Sequence, residues 1–218
     1  MATKAKKSLK KNGKSNFPKV LGIVGNLLIS ASVVIIILTF WPVVKEEAKY
    51  DLNKALNVQY SVQPLPGTKQ KKLEPVNTEF SIVIPKIGAS APVVSNVDPN
   101  NKDIYMVALK KGVAHALGTS FPGKIGNIFL FAHSTDTFYN MARYNAVFYL
   151  IGKLQKGDEI DVWYRGKKYM YMVDKVLVVD AKDTYYMGKI GEGSTLTLQT
   201  CYPPGTTLRR LVVTAKSL

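Results

Sequence analysis

Residues 194–213 read STLTLQTCYPPGTTLRRLVV. Two runs rich in β-branched residues flank a Pro-Pro-Gly break, the pattern of strand, turn and strand. Cys201 closes the first run, and Arg209 and Arg210 open the second. Working back toward the N-terminus, the same strand-like composition recurs in FSIVI (80–84), APVVS (91–95), NIFLFA (127–132), EIDVWY (159–164), YMYMV (169–173) and VLVV (176–179). Turn signals separate these runs, among them Pro85, Asp98-Pro99, Pro122-Gly123, Gly157-Asp158 and Arg165-Gly166. With TLTLQT (195–200) and LRRLVVT (208–214) there are eight candidate strands and little helix. Such a count predicts a mainly β domain, a closed barrel or a sandwich, over residues 80–218. Only the run around Asp136–Asn145 lacks the alternation and reads as a short helix.

Upstream of the strands the character changes. No charge occurs between Lys19 and Lys45, and VLGIVGNLLISASVVIIILTFWPVV fills the gap. As a helix this run exceeds the ~30 Å hydrocarbon core of a bilayer. A cleaved signal peptide would have a shorter apolar region and a small-residue cleavage site. Here the run is long and ends in Phe40-Trp41-Pro42, so a single uncleaved anchor over 20–44 is expected, with Pro42 ending or kinking it. Residues 1–19 hold seven of the lysines and no acid, which predicts a cytoplasmic tail and an extracytoplasmic body. Residues 45–79 read as an extracytoplasmic linker: KEEAKYDLNKAL as a short helix, then a Pro-, Gly- and Lys-rich stretch.

The net charge of +15 is therefore divided, about half of it in the tail. Lysines dominate and no nucleic-acid motif occurs, so a nucleic-acid-binding role is not expected. Cys201 is the only cysteine, which excludes an intramolecular disulfide. A lone cysteine is more often a small buried hydrophobe than a nucleophile, and its neighbourhood has to decide. Cysteine acyl transfer needs a thiolate, a group to protonate the leaving amine, and donors for the oxyanion. The chain holds Cys201, the two histidines His115 and His133, and the Arg209–Arg210 pair. His133 ends the strand run NIFLFA, a position where a fixed backbone presents a side chain at a barrel rim.

From about Phe80 to Thr214 the sequence resembles the sortase family. The resemblance rests on SIVIPKIGASAPVV, on KKGVAHALGTSFPGKIGNIFLFAHS and on TLQTCYPPGTTLRRLVV. The T-L-x-T-C signature is met by Thr197, Leu198, Thr200 and Cys201, and the GN-x-x-L-x-x-H context by Gly126 to His133. The R-L-[IV]-V opening of the last strand is met by Arg210 to Val213. One departure is Ala132, where sortases usually carry Gly before the histidine.

The resemblance implies a closed sortase-type β-barrel with short helices, and a membrane-anchored cysteine transpeptidase. It would cleave an LPxTG-like sorting signal of secreted proteins and join the acyl product to an amine of cell wall or pilin. The implied catalytic residues are Cys201 as nucleophile, His133 as acid/base and Arg210 for the oxyanion. Neighbouring strand residues face opposite sides, so only one of Arg209 and Arg210 can point at Cys201; the resemblance implies Arg210, which directly precedes Leu-Val-Val. Thr200, Thr206 and Thr207 are expected to help bind substrate.

Other features receive plainer readings. His115, in GVAHALGT, is expected to be a hydrogen-bonded structural histidine, and Asp136 a loop residue. Trp163, Tyr164, Tyr169 and Tyr171 are expected to pack on hairpin strands. No acidic set has calcium-ligand spacing, so no metal or cofactor is expected. Leu65-Pro66-Gly67-Thr68-Lys69 imitates a sorting signal, and a Pro-rich linker produces such a match by chance. An L,D-transpeptidase lacks support because no S-x-G-C motif occurs. The competing class is a catalytically silent, surface-anchored β-barrel binding module.

Overall fold

The computed structural model describes residues 17–64, 66–67, 70–134, 147–188 and 192–218. The chain divides into two units, Met1–Trp41 and Pro42–Leu218.

The described part of the first unit is helical, and its Lys19–Leu38 stretch has a mean hydropathy of 2.6 with none of it buried. That stretch is long and apolar enough to cross a membrane. The helix itself, α1, spans Phe17–Ala55. Of the two outcomes expected at Pro42, an end or a kink, the end does not occur there. Proline removes one backbone donor, but the residues after it, KEEAKYDLNKA, are good helix formers and continue the turn.

In the second unit a small parallel pair, β1 (Tyr60–Ser61) and β2 (Lys71–Lys72), precedes the main body. Eight further strands follow: β3 (Phe80–Ile84), β4 (Ala89–Val97), β5 (Val113–Ala116), β6 (Gly126–Phe131), β7 (Glu159–Tyr164), β8 (Lys167–Asp180), β9 (Ser194–Tyr202) and β10 (Arg209–Ser217). They close into a barrel in the order β10-β8-β7-β3-β4-β5-β6-β9. Two pairings are parallel, β4 with β5 and β6 with β9; the rest are antiparallel. Alternate residues fill the interior, such as Ile128 and Leu130 of β6, Leu196 and Leu198 of β9, and Leu211 and Val213 of β10. Each such side chain contributes roughly 1.5–3 kcal/mol on burial.

The number eight was right, but two of its members differ. YMYMV and VLVV belong to one 14-residue strand, β8. The polar Asp174-Lys175 between them is a bulge, absorbed where the β8–β10 register shifts between Thr214 and Ala215, and Asp174 pairs with Lys216 at 3.4 Å. The eighth strand is β5, VAHA, whose four residues are all buried and show no alternation. A short helix, α2 (Lys102–Leu109), also escaped the pattern; the Asn101 side chain accepts a hydrogen bond from the Ile104 N–H at its start. The helix expected around Asp136–Asn145 lies outside the described residues.

Candidate active site

Three adjacent strands, β6, β9 and β10, build the site. Cys201 lies in the last turn of pleat of the central strand, half-exposed and with a free thiol. On one side, Arg210 is its direct cross-strand partner in the antiparallel β9–β10 ladder, and Arg209 faces Tyr202 instead. Partners in a ladder share a face, so the register puts Arg210 on the side of the sheet that carries Cys201. The Arg210 Nη1 donates to the carbonyls of Thr207 and Arg209, both at 3.1 Å, which ties the guanidinium to the end of the loop.

On the other side, β6 runs parallel to β9 with Phe131 opposite Gln199. Beyond the strand, the Ala132 N–H still donates to the Gln199 carbonyl at 3.2 Å. Continuing that register by two residues sets His133 level with Cys201. Neighbouring strands lie about 4.8 Å apart, so the backbones bearing His133, Cys201 and Arg210 stand side by side at one end of the barrel.

The threonines of the T-L-x-T-C run explain how this register is held. Thr200 Oγ1 donates to the Ala132 carbonyl at 2.9 Å. Thr197 and Thr195 both donate to Asn127 Oδ1, at 2.9 and 3.2 Å, and Asn127 Nδ2 donates to the Tyr186 carbonyl at 2.9 Å. The buried Asn127 amide thus staples the two strands from which His133 and Cys201 emerge. A one-residue slip would leave these groups without partners and move one side chain to the opposite face. Gly126 opens β6 at a φ of 122°, and a Cβ there would collide with the Ser120 hydroxyl.

A cavity of about 320 Å³ opens beside the thiol, with Thr200, Cys201, Tyr202 and Pro204 on one wall and Ser134 among its lining. Its other wall includes Glu47, from the end of α1, with Tyr149 and Lys153. Glu47 pairs with Lys153 at 3.1 Å, and the Lys153 ammonium lies 5.6 Å from the centre of the Tyr50 ring. Burial, with the charge and hydrogen bond of Glu47 adding to it, pushes the Tyr149 phenol up to about 12.

This ordering of motifs on three neighbouring strands has relatives. The sequence model of the sortase domain matches residues 82–218. The chain belongs to the sortase family. Sortase D of Bacillus subtilis is 33% identical over 120 residues, covering 55% of this chain. The match spans 52% of the length of that protein. Among solved structures, sortase C-1 of Actinomyces oris has a TM-score of 0.54 and 28% identity over 67% of this chain and 77% of that one. A sortase D5 transpeptidase of Clostridium perfringens has a TM-score of 0.52 and 26% identity over 67% and 82%.

The remaining expected residues of this sortase fall as follows. The Thr206 hydroxyl donates to the Pro203 carbonyl at 2.8 Å in the exposed loop, and Thr207 offers its carbonyl to Arg210. Asp136 lies outside the described residues. His115 is fully buried within β5 and bonded at both ring nitrogens. Tyr171 sits in the barrel core, and Tyr164 stacks on Phe121 at 5.3 Å. Glu47, Tyr149, Lys153 and Ser134 were not anticipated. Ser134 at least follows the motif histidine, whereas no local signal links Glu47 to residues a hundred positions away.

Proposed function

We propose that this sortase is a membrane-anchored cysteine transpeptidase acting on an LPxTG-like sorting signal. The Cys201 thiolate attacks the carbonyl carbon of a Thr–Gly-type peptide bond and forms a tetrahedral adduct. Arg210 faces the oxyanion, and its charge persists at any working pH. As the adduct collapses, the C–N bond breaks and His133 gives its proton to the departing amine. The thioester that remains is attacked by an amine of the cell wall or a pilin, which restores the thiol and leaves a new amide. Thr200 positions the strand end, and Thr206 and Thr207 line the path of the peptide. The apolar helix anchors the chain in the cell membrane with its lysine-rich end in the cytoplasm. The substrates are secreted proteins with a C-terminal sorting signal.

The observation that supports this reading is the register: Arg210 is the ladder partner of Cys201, and the β6–β9 pairing that ends at Phe131 and Gln199 leads on to His133 from the other side. The test is mass spectrometry of the full chain in detergent, mixed with LPxTG-like peptides and an amine acceptor. An acyl adduct on Cys201 and exchange of the peptide's C-terminal fragment are expected. A thiol that takes neither peptide nor a small alkylating agent would instead favour the silent binding module.

A further inference from the structure

Buried hydroxyls in this protein are bonded almost without exception. Ser81 donates to the Asn77 carbonyl, Thr195 and Thr197 to Asn127, and Thr200 to Ala132. Ser134 is different. It is 1% exposed, and its Oγ is the one buried hydroxyl without a hydrogen-bond partner among the described residues. A buried hydroxyl without a partner destabilises the fold relative to a methyl or hydrogen in its place. An alanine there would retain the packing and lose the penalty. The position is also particular. Ser134 lines the cavity that holds the Cys201 thiol, and it follows His133 directly. The neighbouring Thr200 hydroxyl is already committed to Ala132, so it offers a ligand no proton.

We propose that Ser134 is a substrate-binding residue of this cleft, its hydroxyl hydrogen-bonding a backbone amide group of the donor peptide whose carbonyl Cys201 attacks. The inference rests on the cysteine transpeptidase reading and deepens it. In the empty protein the hydroxyl is desolvated and unmatched, and a bound peptide supplies the match. Its contribution therefore appears only when the donor is bound, which raises acylation at sub-saturating peptide, kcat/KM, rather than stabilising the fold. The acceptor amine arrives after the thioester has formed and finds Ser134 already occupied by the acyl part.

The experiment measures thioester formation on Cys201 by a peptide the wild-type chain accepts, with no amine present, and separately the resolution of the thioester by an amine. Ser134→Ala is expected to slow acylation about tenfold. Its alkylation of Cys201 by iodoacetamide should stay at the wild-type rate, and its melting temperature should be equal or higher. Ser134→Thr and Ser134→Val are isosteric, so the Thr variant acylating faster than the Val variant isolates the hydroxyl from any steric cost. Acylation by Ser134→Ala at the wild-type rate would overturn the assignment. So would a defect confined to resolution, or a fall in melting temperature that accounts for the lost rate. If the wild-type chain forms no thioester with any peptide while iodoacetamide still labels Cys201, the parent reading fails first and takes this one with it.

Discussion

His115 lies within β5, and His133 just past the end of the adjacent β6, yet their surroundings differ in kind. His115 is sealed. Its Nδ1 accepts from the Asn96 N–H at 3.3 Å and its Nε2 donates to the Ser120 carbonyl at 3.0 Å, which assigns the neutral Nε2–H tautomer. Phe121 covers the ring at 4.4 Å and Phe80 at 5.6 Å. His133 emerges where the β6–β9 ladder ends, level with a half-exposed thiol and beside a hydroxyl left without a partner. The barrel thus holds one histidine as a strut inside its wall and places the other just beyond a strand end.

Exchanging the two losses is the largest test of that contrast. His133→Ala should lower transpeptidation by roughly 10²–10⁴-fold and leave the melting temperature nearly unchanged. His115→Ala should do the reverse, costing about 2–3 kcal/mol in denaturant unfolding through two stranded backbone groups and a lost ring, while folded molecules keep their activity. Comparable unfolding by both variants would break the contrast.

The arginines sharpen it at the next level. Arg210→Ala should cost about 10²–10³-fold in kcat, and Arg209→Ala should leave the rate close to wild type, because only Arg210 is paired with Cys201. Equal losses would mean that the ladder register does not govern access to the thiol. Asn127→Ala removes a staple with no contact to the cleft. It should destabilise by about 2 kcal/mol and lower kcat with it, since His133 and Cys201 take their alignment from that amide.

The smallest effects lie in pH. Burial holds the His115 imidazole below its ordinary value, with the Ser120 carbonyl opposing. The unfolded chain then takes up the proton first, so this residue's stabilisation is present above about pH 6.5 and lost as pH falls below it. NMR should find the His115 ring still neutral, with the proton on Nε2, where a free imidazole is half-charged. Asp161 has the opposite sign. Burial raises its carboxyl to about 6, with Lys168 opposing at 3.0 Å and Glu159 adding to the shift. The folded state holds that proton more tightly, so stability falls as pH rises through this window. Asp161→Asn should therefore gain in melting temperature relative to wild type between about pH 4 and pH 7. A constant difference would show that the carboxylate is solvated.

Much of this was legible because the deciding features are local. The strand ends near residues 132, 201 and 209 show as β-rich runs followed by loop residues, whereas the choice of His133, Cys201 and Arg210 rests on the resemblance to sortases. What escaped is what depends on distant contacts. The polar Asp174-Lys175 pair interrupts the apolar run, and only the pairing with β10 shows one strand with Asp174 left out of the register. VAHA is too short to show a period, and both of its faces are covered. Glu47 reads as a linker charge, yet it pairs with Lys153 and lines the cleft wall, a contact spanning half the chain. The orphaned state of Ser134 is not a property of its neighbours in sequence at all.

The closure of the eight strands carries a consequence for recognition. An open sheet lets an extended peptide add itself as one more strand, with affinity supplied by main-chain hydrogen bonds that read no side chains. In the closed order none of the eight barrel strands is an outer edge strand. Under the transpeptidase reading proposed above, a peptide at Cys201 would be held across strand ends, by side chains and loop carbonyls, rather than as an added strand. On that reading selectivity would lie in loops such as Pro203–Leu208, and exchanging them would leave the β9–β10 ladder intact.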